Sequence, residues 1–140
     1  MKDIANIQNE IIENFGLFEE WEDKYEYLLE FSNAAELVDE AEKIDINLVK
    51  GCQSRVWLLS ECVDGKVLFR SDGDSPIPKG IAAALVKILS RHSPEEVVKA
   101  DVNFHKETRL INYLSPARVR GVESMILKFK SLASEYLIKH

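Results

Sequence analysis

Two cysteines and three histidines are the side chains of this sequence best suited to nucleophilic or metal chemistry. Cys52 and Cys62 form no CxxC motif, and the histidines are not spaced from them as structural zinc ligands would be. An iron–sulfur cluster normally takes four thiolates, which two cysteines cannot supply. The sequence therefore predicts no metal site. Each cysteine is either small apolar filler or a reactive thiol.

Cys52 has the local surroundings of a functional residue. It lies in a short polar segment ahead of the first β pattern, and loops are where functional side chains concentrate. Gly51 before it permits a tight or exposed turn. Lys50 and Arg55 place positive charge on both sides, which we expect to favour the thiolate. Cys52 is the candidate nucleophile, and a loop cysteine without a function is the alternative.

None of the histidines is spaced to activate this thiol. His92 and His105 lie far along the chain in polar segments near helix ends, and His140 is terminal. A papain-like nucleophile needs a histidine oriented beside it, so we expect all three to be solvated. A redox role needs a resolving cysteine, and the predicted strand before Cys62 would keep the two sulfurs apart. What remains is a lone thiol that accepts a group from a partner.

Apolar residues at intervals of three and four predict two helices before Cys52. Their inward positions are Ile4, Ile7, Ile11 and Phe15 in the first helix and Leu17, Trp21, Tyr25 and Leu28 in the second. The predicted outer face of the second helix holds several acids together with Lys24. An acidic connector over residues 34–49 then leads to the cysteine segment, and we expect it to be a solvated surface.

Residues 56–70 predict a β-hairpin around Asp64-Gly65. The register sets Val63 opposite Lys66 and Cys62 opposite Val67. The residues that share the predicted core face are Val56, Leu58, Ser60, Cys62, Val67 and Phe69. Cys62 is thus predicted to be a buried structural cysteine, and Trp57 to lie on the opposite, half-covered face.

The second half of the chain predicts mainly helices. One has Ile81, Ala84, Leu85 and Ile88 on its inner side, a second begins at Ser93-Pro94, and the last begins at Ser115-Pro116. Two helices, a small antiparallel sheet and further helices make an α+β fold. The length of 140 residues favours one domain spanning 1–140.

Composition and charge exclude several classes of protein. Apolar residues at 46 % and charged residues at 30 % are typical of a globular chain. The net charge of −6 argues against nucleic-acid binding, which needs clustered Lys and Arg. No apolar stretch reaches the roughly 20 residues of a membrane span, and no signal-peptide pattern begins the chain. We expect a soluble, cytoplasmic protein.

Four blocks of sequence, in order along the chain, form a recognisable pattern. One is the segment Gly51-Cys52-Gln53-Ser54-Arg55-Val56-Trp57, and the other three are Trp21 to Tyr25, Ser71 to Ser75 with Lys79-Gly80, and Leu114 to Arg118 with Gly121 and Met125. Together they resemble the SufE family of cysteine-desulfuration proteins, whose signature is GCQSxVW.

The resemblance implies a function, partners and a fold. SufE proteins accept sulfane sulfur from a pyridoxal-phosphate cysteine desulfurase (SufS-like) and relay it to a downstream iron–sulfur scaffold. Cys52 would then be the persulfide acceptor, in an IscU-like α+β fold, with no cofactor or metal of its own. An IscU-like cluster-assembly scaffold and a binding module with an incidental thiol are the alternatives.

Further residues are candidates for supporting roles. Gly51, Gln53, Ser54 and Arg55 surround the acceptor in the signature. Trp57 is a candidate wall for a sheltered persulfide. Arg118 follows the start of the last helix, where a cation opposes the helix dipole. We expect it to pair with Asp72 or Asp74, or to contact the loop and partner.

Overall fold

The structure, a computed structural model, describes residues 2–138, which form six α-helices and one two-stranded antiparallel sheet. The helices are α1 (Ile4–Gly16), α2 (Trp21–Asn33), α3 (Pro76–Leu89), α4 (Pro94–Lys99), α5 (Phe104–Glu107) and α6 (Pro116–Ile138). The strands are β1 (Val56–Val63) and β2 (Lys66–Gly73), and 3-10 turns occupy Glu40–Glu42, Asp45–Asn47 and Leu110–Tyr113. The predicted α+β class is confirmed. Across residues 2–138, no helix has the length and apolar character needed to cross a membrane.

The hairpin has the predicted register, with Val63 opposite Lys66 and Cys62 opposite Val67. Asp64 and Gly65 both have positive φ, at 52° and 79°, which is the backbone of the tight turn that matches the twist of antiparallel strands. The strand β2 continues to Gly73, beyond the predicted end at residue 70. These extra residues carry the chain towards the Cys52 loop.

The core lies between the sheet and the helices, with α3 in contact with α1, α2, α6 and both strands. All four predicted inner positions of α3 are buried. The sheet is joined to α6 by an edge-to-face contact of Phe69 with Phe129, whose ring centroids are 4.8 Å apart. The hydroxyls of Ser60 and Tyr136 lie 3.0 Å apart along the same boundary. These two contacts hold the hairpin against α6.

Predicted caps begin the later helices. Ser93 accepts a hydrogen bond from the amide of Glu96, whose side chain accepts one from the amide of Ser93. This capping box satisfies two backbone donors that the first turn of a helix otherwise leaves free. The last helix starts at Pro116, as the Ser115-Pro116 pair predicts.

The prediction that Cys62 is buried in the core is wrong. Along β1, burial is nearly complete at Leu58 but only partial at Ser60 and Cys62, and Val63 at the turn is exposed. Val67, opposite Cys62, is fully buried and exchanges backbone hydrogen bonds with Arg91 and His92, so the tip is covered along β2 and left open along β1. The alternation of the strand gave the correct face for Cys62 but not how far along the strand that face is covered.

The predicted orientation of α2 is wrong at two positions. Lys24 is buried, and its Nζ donates a hydrogen bond of 2.8 Å to the carbonyl oxygen of Phe15. That carbonyl lies in the last turn of α1, where it also accepts a hydrogen bond of 3.2 Å from the amide of Phe18. Leu17 is 77 % exposed because it caps α1 and precedes α2.

Two histidines predicted to be solvated are buried. His92 has both ring nitrogens close to carbonyl oxygens, at 3.0 Å from Ser90 and 3.2 Å from Lys2. His105 is 1 % exposed and its ring nitrogens have no hydrogen-bond partner within residues 2–138. Burial lowers the pKa of His105. Their polar sequence neighbours point outwards while both rings turn in. His140 lies outside the described residues.

The acidic connector is more ordered than predicted. Glu42 is half-buried and accepts two hydrogen bonds from the guanidinium of Arg70, at 2.9 and 2.7 Å. This pairing lowers the pKa of Glu42 to about 2. The connector crosses the second face of the sheet, where Lys43 Nζ lies 5.6 Å from the centre of the Trp57 ring. It therefore covers the face opposite the core.

Candidate functional site

Cys52 lies in the loop between the connector and β1, where it crosses α6. Its side chain is half-buried, and Sγ donates a hydrogen bond of 3.3 Å to the carbonyl oxygen of Gly121. A Cβ at residue 121 would lie 3.3 Å from this sulfur, closer than an ordinary contact. The absence of a side chain at Gly121 thus gives the thiol its resting place against the helix.

Gly51 is required by two features of its position. Its φ of +90° lies in the region that L side chains rarely adopt. A Cβ there would also lie 2.6 Å from Oγ of Ser124, which is on α6. The loop therefore approaches α6 with both glycines, at 51 and at 121, facing the contact.

Asp74 fixes the far end of the cysteine loop. Its Oδ1 accepts a hydrogen bond of 3.0 Å from the amide of Arg55, and its own amide donates one of 3.1 Å to the carbonyl of Arg55. These reciprocal bonds tie the start of β1 to the turn between β2 and α3. The structure thus brings Asp74 to the loop through backbone contacts.

Cys52 faces a small, mostly apolar cavity of about 20 Å³, which is room for about one water molecule. Its lining residues are Cys52, Gln53 and Ser54 from the loop, Ile77, Pro78 and Ile81 from α3, and Ala117, Arg118, Gly121, Val122 and Met125 from α6. Two predicted supporting residues, Gln53 and Ser54, are therefore beside the thiol.

The electrostatic expectation for Cys52 is wrong. Burial raises the pKa of the Cys52 thiol, and the positive charges of Lys50 and Arg55 do not offset it. Both basic residues are exposed, so water screens their charges. At neutral pH the resting sulfur is a protonated thiol that donates to Gly121 and is a weak nucleophile.

The predicted ion pair of Arg118 with Asp72 or Asp74 is absent in the described part of the chain. Asp72 pairs instead with Lys43 at 3.3 Å and Lys79 at 3.5 Å. Arg118 makes no salt bridge within residues 2–138, and its side chain lines the Cys52 cavity. It brings positive charge to an otherwise apolar wall.

Trp57 does not line the cavity, so its expected role as a wall is wrong. Alternation along β1 puts Trp57 on the face covered by the connector, away from the buried Val56 and Leu58. The wall residues that sequence reasoning missed are Ile77, Pro78, Ile81, Ala117, Gly121, Val122 and Met125. A glycine that interrupts the apolar stripe of α6 was the available signal for this contact.

One protein-family model matches most of the sequence. The family model described as SufE, an Fe-S metabolism associated domain, matches residues 9–133, which include the whole Cys52 cavity. The chain belongs to the SufE family. The resemblance of the four blocks is thereby confirmed, and the protein has a function associated with iron–sulfur metabolism.

A solved structure shares the fold of this SufE family member. The solution structure of a hypothetical protein from Thermus thermophilus superposes with a TM-score of 0.79 at 22 % sequence identity. The alignment covers 94 % of this chain and 96 % of the other. At this identity the similarity establishes the shared α+β fold.

Proposed function

We propose that Cys52 accepts sulfane sulfur from the persulfide of a pyridoxal-phosphate cysteine desulfurase and relays it to iron–sulfur cluster assembly. The observation that carries this proposal is the position of the Cys52 thiol in a SufE domain. It faces a small apolar cavity, on a loop held at one end by Asp74. The proposal covers residues 1–140 as a single domain in the cytoplasm, where free thiols stay reduced.

The transfer needs no external oxidant or reductant. The Cys52 thiolate attacks the outer sulfur of the donor persulfide, so a new bond forms from Sγ of Cys52 to that sulfur. The sulfur–sulfur bond of the donor breaks, and the donor cysteine leaves as a thiolate that takes up a proton. Cys52 loses its own proton and ends as a persulfide. The sulfane sulfur keeps its oxidation state.

The raised pKa of Cys52 makes the exchange depend on docking. A half-buried, protonated thiol reacts slowly, and its bond to the carbonyl of Gly121 holds the hydrogen. Movement of the loop out of the cavity would remove the desolvation and return the thiol to an ordinary pKa. We propose that the desulfurase surface draws out the loop between Gly51 and Arg55.

The same cavity supports storage after transfer. A persulfide is easily lost or oxidised in water, and the apolar side chains of α3 and α6 would shield one side of it. Arg118 is among the residues that line this space, and its positive charge would attract a persulfide anion. Gly51, Gly121 and Asp74 act as positioning residues that allow and hold this arrangement.

Desulfurase turnover and calorimetry test the proposal together. Cys52→Ser should bind the desulfurase with nearly the affinity of the unchanged protein, because one thiol is a small part of a protein interface. It should not stimulate desulfurase turnover. The matched variant Cys62→Ser should bind and stimulate normally. Stimulation by a folded Cys52→Ser protein would refute the proposed acceptor.

A cluster-assembly scaffold is the competing function. Among residues 2–138, no three His, Cys, Asp or Glu side chains lie close enough to hold one metal ion. Iron bound stoichiometrically by the protein purified without oxygen would support the scaffold and contradict a pure sulfur carrier.

A further inference from the structure

A second concave surface lies on the solvent side of α2. This open groove of about 430 Å³ is lined by Trp21, Glu22, Tyr25, Glu26 and Leu29, and we call it the α2 groove. Its floor is half-buried aromatic and aliphatic surface, and its two glutamates are exposed. It shares no residue with the Cys52 cavity.

The aromatic floor of the α2 groove is fixed by packing. The Trp21 ring stacks on Tyr113 at a centroid distance of 4.6 Å and an interplanar angle of 19°. Tyr25 lies 5.9 Å from Trp21 on the groove side. Aromatic faces attract cations, and indole is the strongest of them. Because these rings are already held in place, a bound cation would cost little ordering of the site.

The charge around the α2 groove is negative and uncompensated. The exposed acids on α2 and just before it are Glu19, Glu20, Glu22, Asp23, Glu26 and Glu30. Within residues 2–138 none of them takes part in a salt bridge. Lys24 is the only basic residue of the helix, and it is buried against Phe15. The field at the groove therefore favours a positively charged ligand.

We propose that the α2 groove binds a polypeptide segment of a partner protein in which arginine or lysine alternates with aliphatic side chains. A guanidinium over Trp21 and Tyr25 would gain cation–π attraction and pair with Glu22 and Glu26. Aliphatic neighbours in the segment would cover Leu29. A purely apolar partner would desolvate the glutamates without compensation, and nucleic acid would be repelled by them.

This surface is independent of the sulfur transfer proposed for Cys52. Tyr113, which supports Trp21, lies just before α6, and the first turns of α6 line the Cys52 cavity. The α2 groove and that cavity share no lining residue, so binding in the groove and sulfur acceptance at Cys52 can be tested separately. Binding can be measured on the Cys52→Ser protein, so failure of one proposal leaves the other standing.

Amide NMR spectra of the full chain, titrated with synthetic peptides, test the proposal. The probe is acetyl-Ala-Arg-Leu-Ala-Arg-Leu-Ala-amide, and the charge control is the same peptide with glutamate in place of arginine. We expect a Kd of about 1 mM or tighter for the arginine peptide, with the largest shifts at residues 21–30 and Tyr113. Shifts centred elsewhere, or equal binding of the glutamate peptide, would overturn the proposal. Free arginine binding as tightly as the peptide would also overturn it, in favour of a small-molecule site.

Matched variants separate the groove from general charge. Glu22→Gln with Glu26→Gln should weaken peptide binding about fivefold, since each exposed pair contributes modestly. Glu95→Gln with Glu135→Gln removes the same net charge elsewhere and should change the Kd by less than about twofold. Tyr25→Leu keeps apolar area and should weaken binding about threefold. Equal losses in the two double variants, both with unchanged melting temperature, would contradict a specific groove.

Discussion

Gly121→Ala tests the contact that places the candidate acceptor against α6. An added Cβ would lie 3.3 Å from Sγ of Cys52, and 3.7 and 3.8 Å from its Cα and Cβ. Only the sulfur contact is shorter than an ordinary one, so the thiol must move by a few tenths of an ångström. That movement weakens the 3.3 Å hydrogen bond from Sγ to the carbonyl of the same residue.

Two opposing effects set the size of the stability change. Alanine in a helix interior is favoured over glycine by roughly 0.5–1 kcal/mol. Overpacking a filled site costs about 1 kcal/mol or more. In the protein with Cys52 intact, the helix-propensity gain and the overpacking cost nearly cancel, or leave a small loss of stability. In a Cys52→Ala background the sulfur is gone, and Gly121→Ala should stabilise by the full helix gain. The coupling energy between the positions should be at least about 0.5 kcal/mol.

Urea denaturation of the four proteins measures this coupling, and iodoacetamide alkylation at neutral pH reports on the thiol. Gly121→Ala should be alkylated severalfold faster at Cys52, because the sulfur leaves its sheltered position. Gly16→Ala is the matched control, since a Cβ there meets nothing within 4 Å. Equal stability effects in both backgrounds, with unchanged alkylation, would show that α6 does not press on Cys52.

Three other predictions concern the loop and its surroundings. Gly51→Ala should lower the free energy of unfolding, measured in urea, by about 1–3 kcal/mol because of the positive φ at this position. Adding Ser124→Ala to this variant should restore only part of the lost stability, because it relieves the side-chain contact and not the backbone strain. Because burial raises the pKa of Cys52, the alkylation rate should inflect above the roughly 8.5 of a free cysteine, and stability should fall as pH rises through that range. An inflection at or below 8.5 would contradict this. Arg70 lowers the pKa of Glu42, so the contribution of this ion pair to stability is lost as pH falls from 4.5 towards about 2. Glu42→Gln should therefore reduce the dependence of Tm on pH across that acidic range.

Local patterns in the sequence predicted most of the secondary structure. The Asp64-Gly65 turn set the register of the hairpin, because a two-residue loop leaves no freedom in pairing. Serine–proline pairs marked the starts of α4 and α6. The predictions of side-chain burial failed, because burial depends on elements that are distant in sequence and pack against the residue in the fold. Cys62 is half-exposed because the β1 edge of the hairpin is left open, and Lys24 is buried because its Nζ reaches the carbonyl of Phe15 at the end of α1.

The candidate site was predictable in part. Cys52 was found from its own segment, because a glycine, a thiol and polar neighbours lie together in sequence. The raised pKa of its thiol was not predicted from the sequence. The charges of Lys50 and Arg55 lie close to Cys52 in sequence, whereas the desolvation of the thiol comes from α3 and α6, which are distant in sequence. Of the two alternatives predicted for Arg118, the ion pair is absent among residues 2–138, since Lys43 and Lys79 reach Asp72, whereas the position beside the cysteine loop agrees with the cavity lining.

Mass spectrometry after incubation with a cysteine desulfurase, pyridoxal phosphate and cysteine tests the central claim most directly. The intact chain should gain the mass of one sulfur atom, and peptide mapping should place that sulfur on Cys52. Cys62→Ala should still gain it, and Cys52→Ser should not. Sulfur found mainly on Cys62, or no gain by a folded protein that binds the desulfurase, would contradict the assignment of Cys52 as the acceptor.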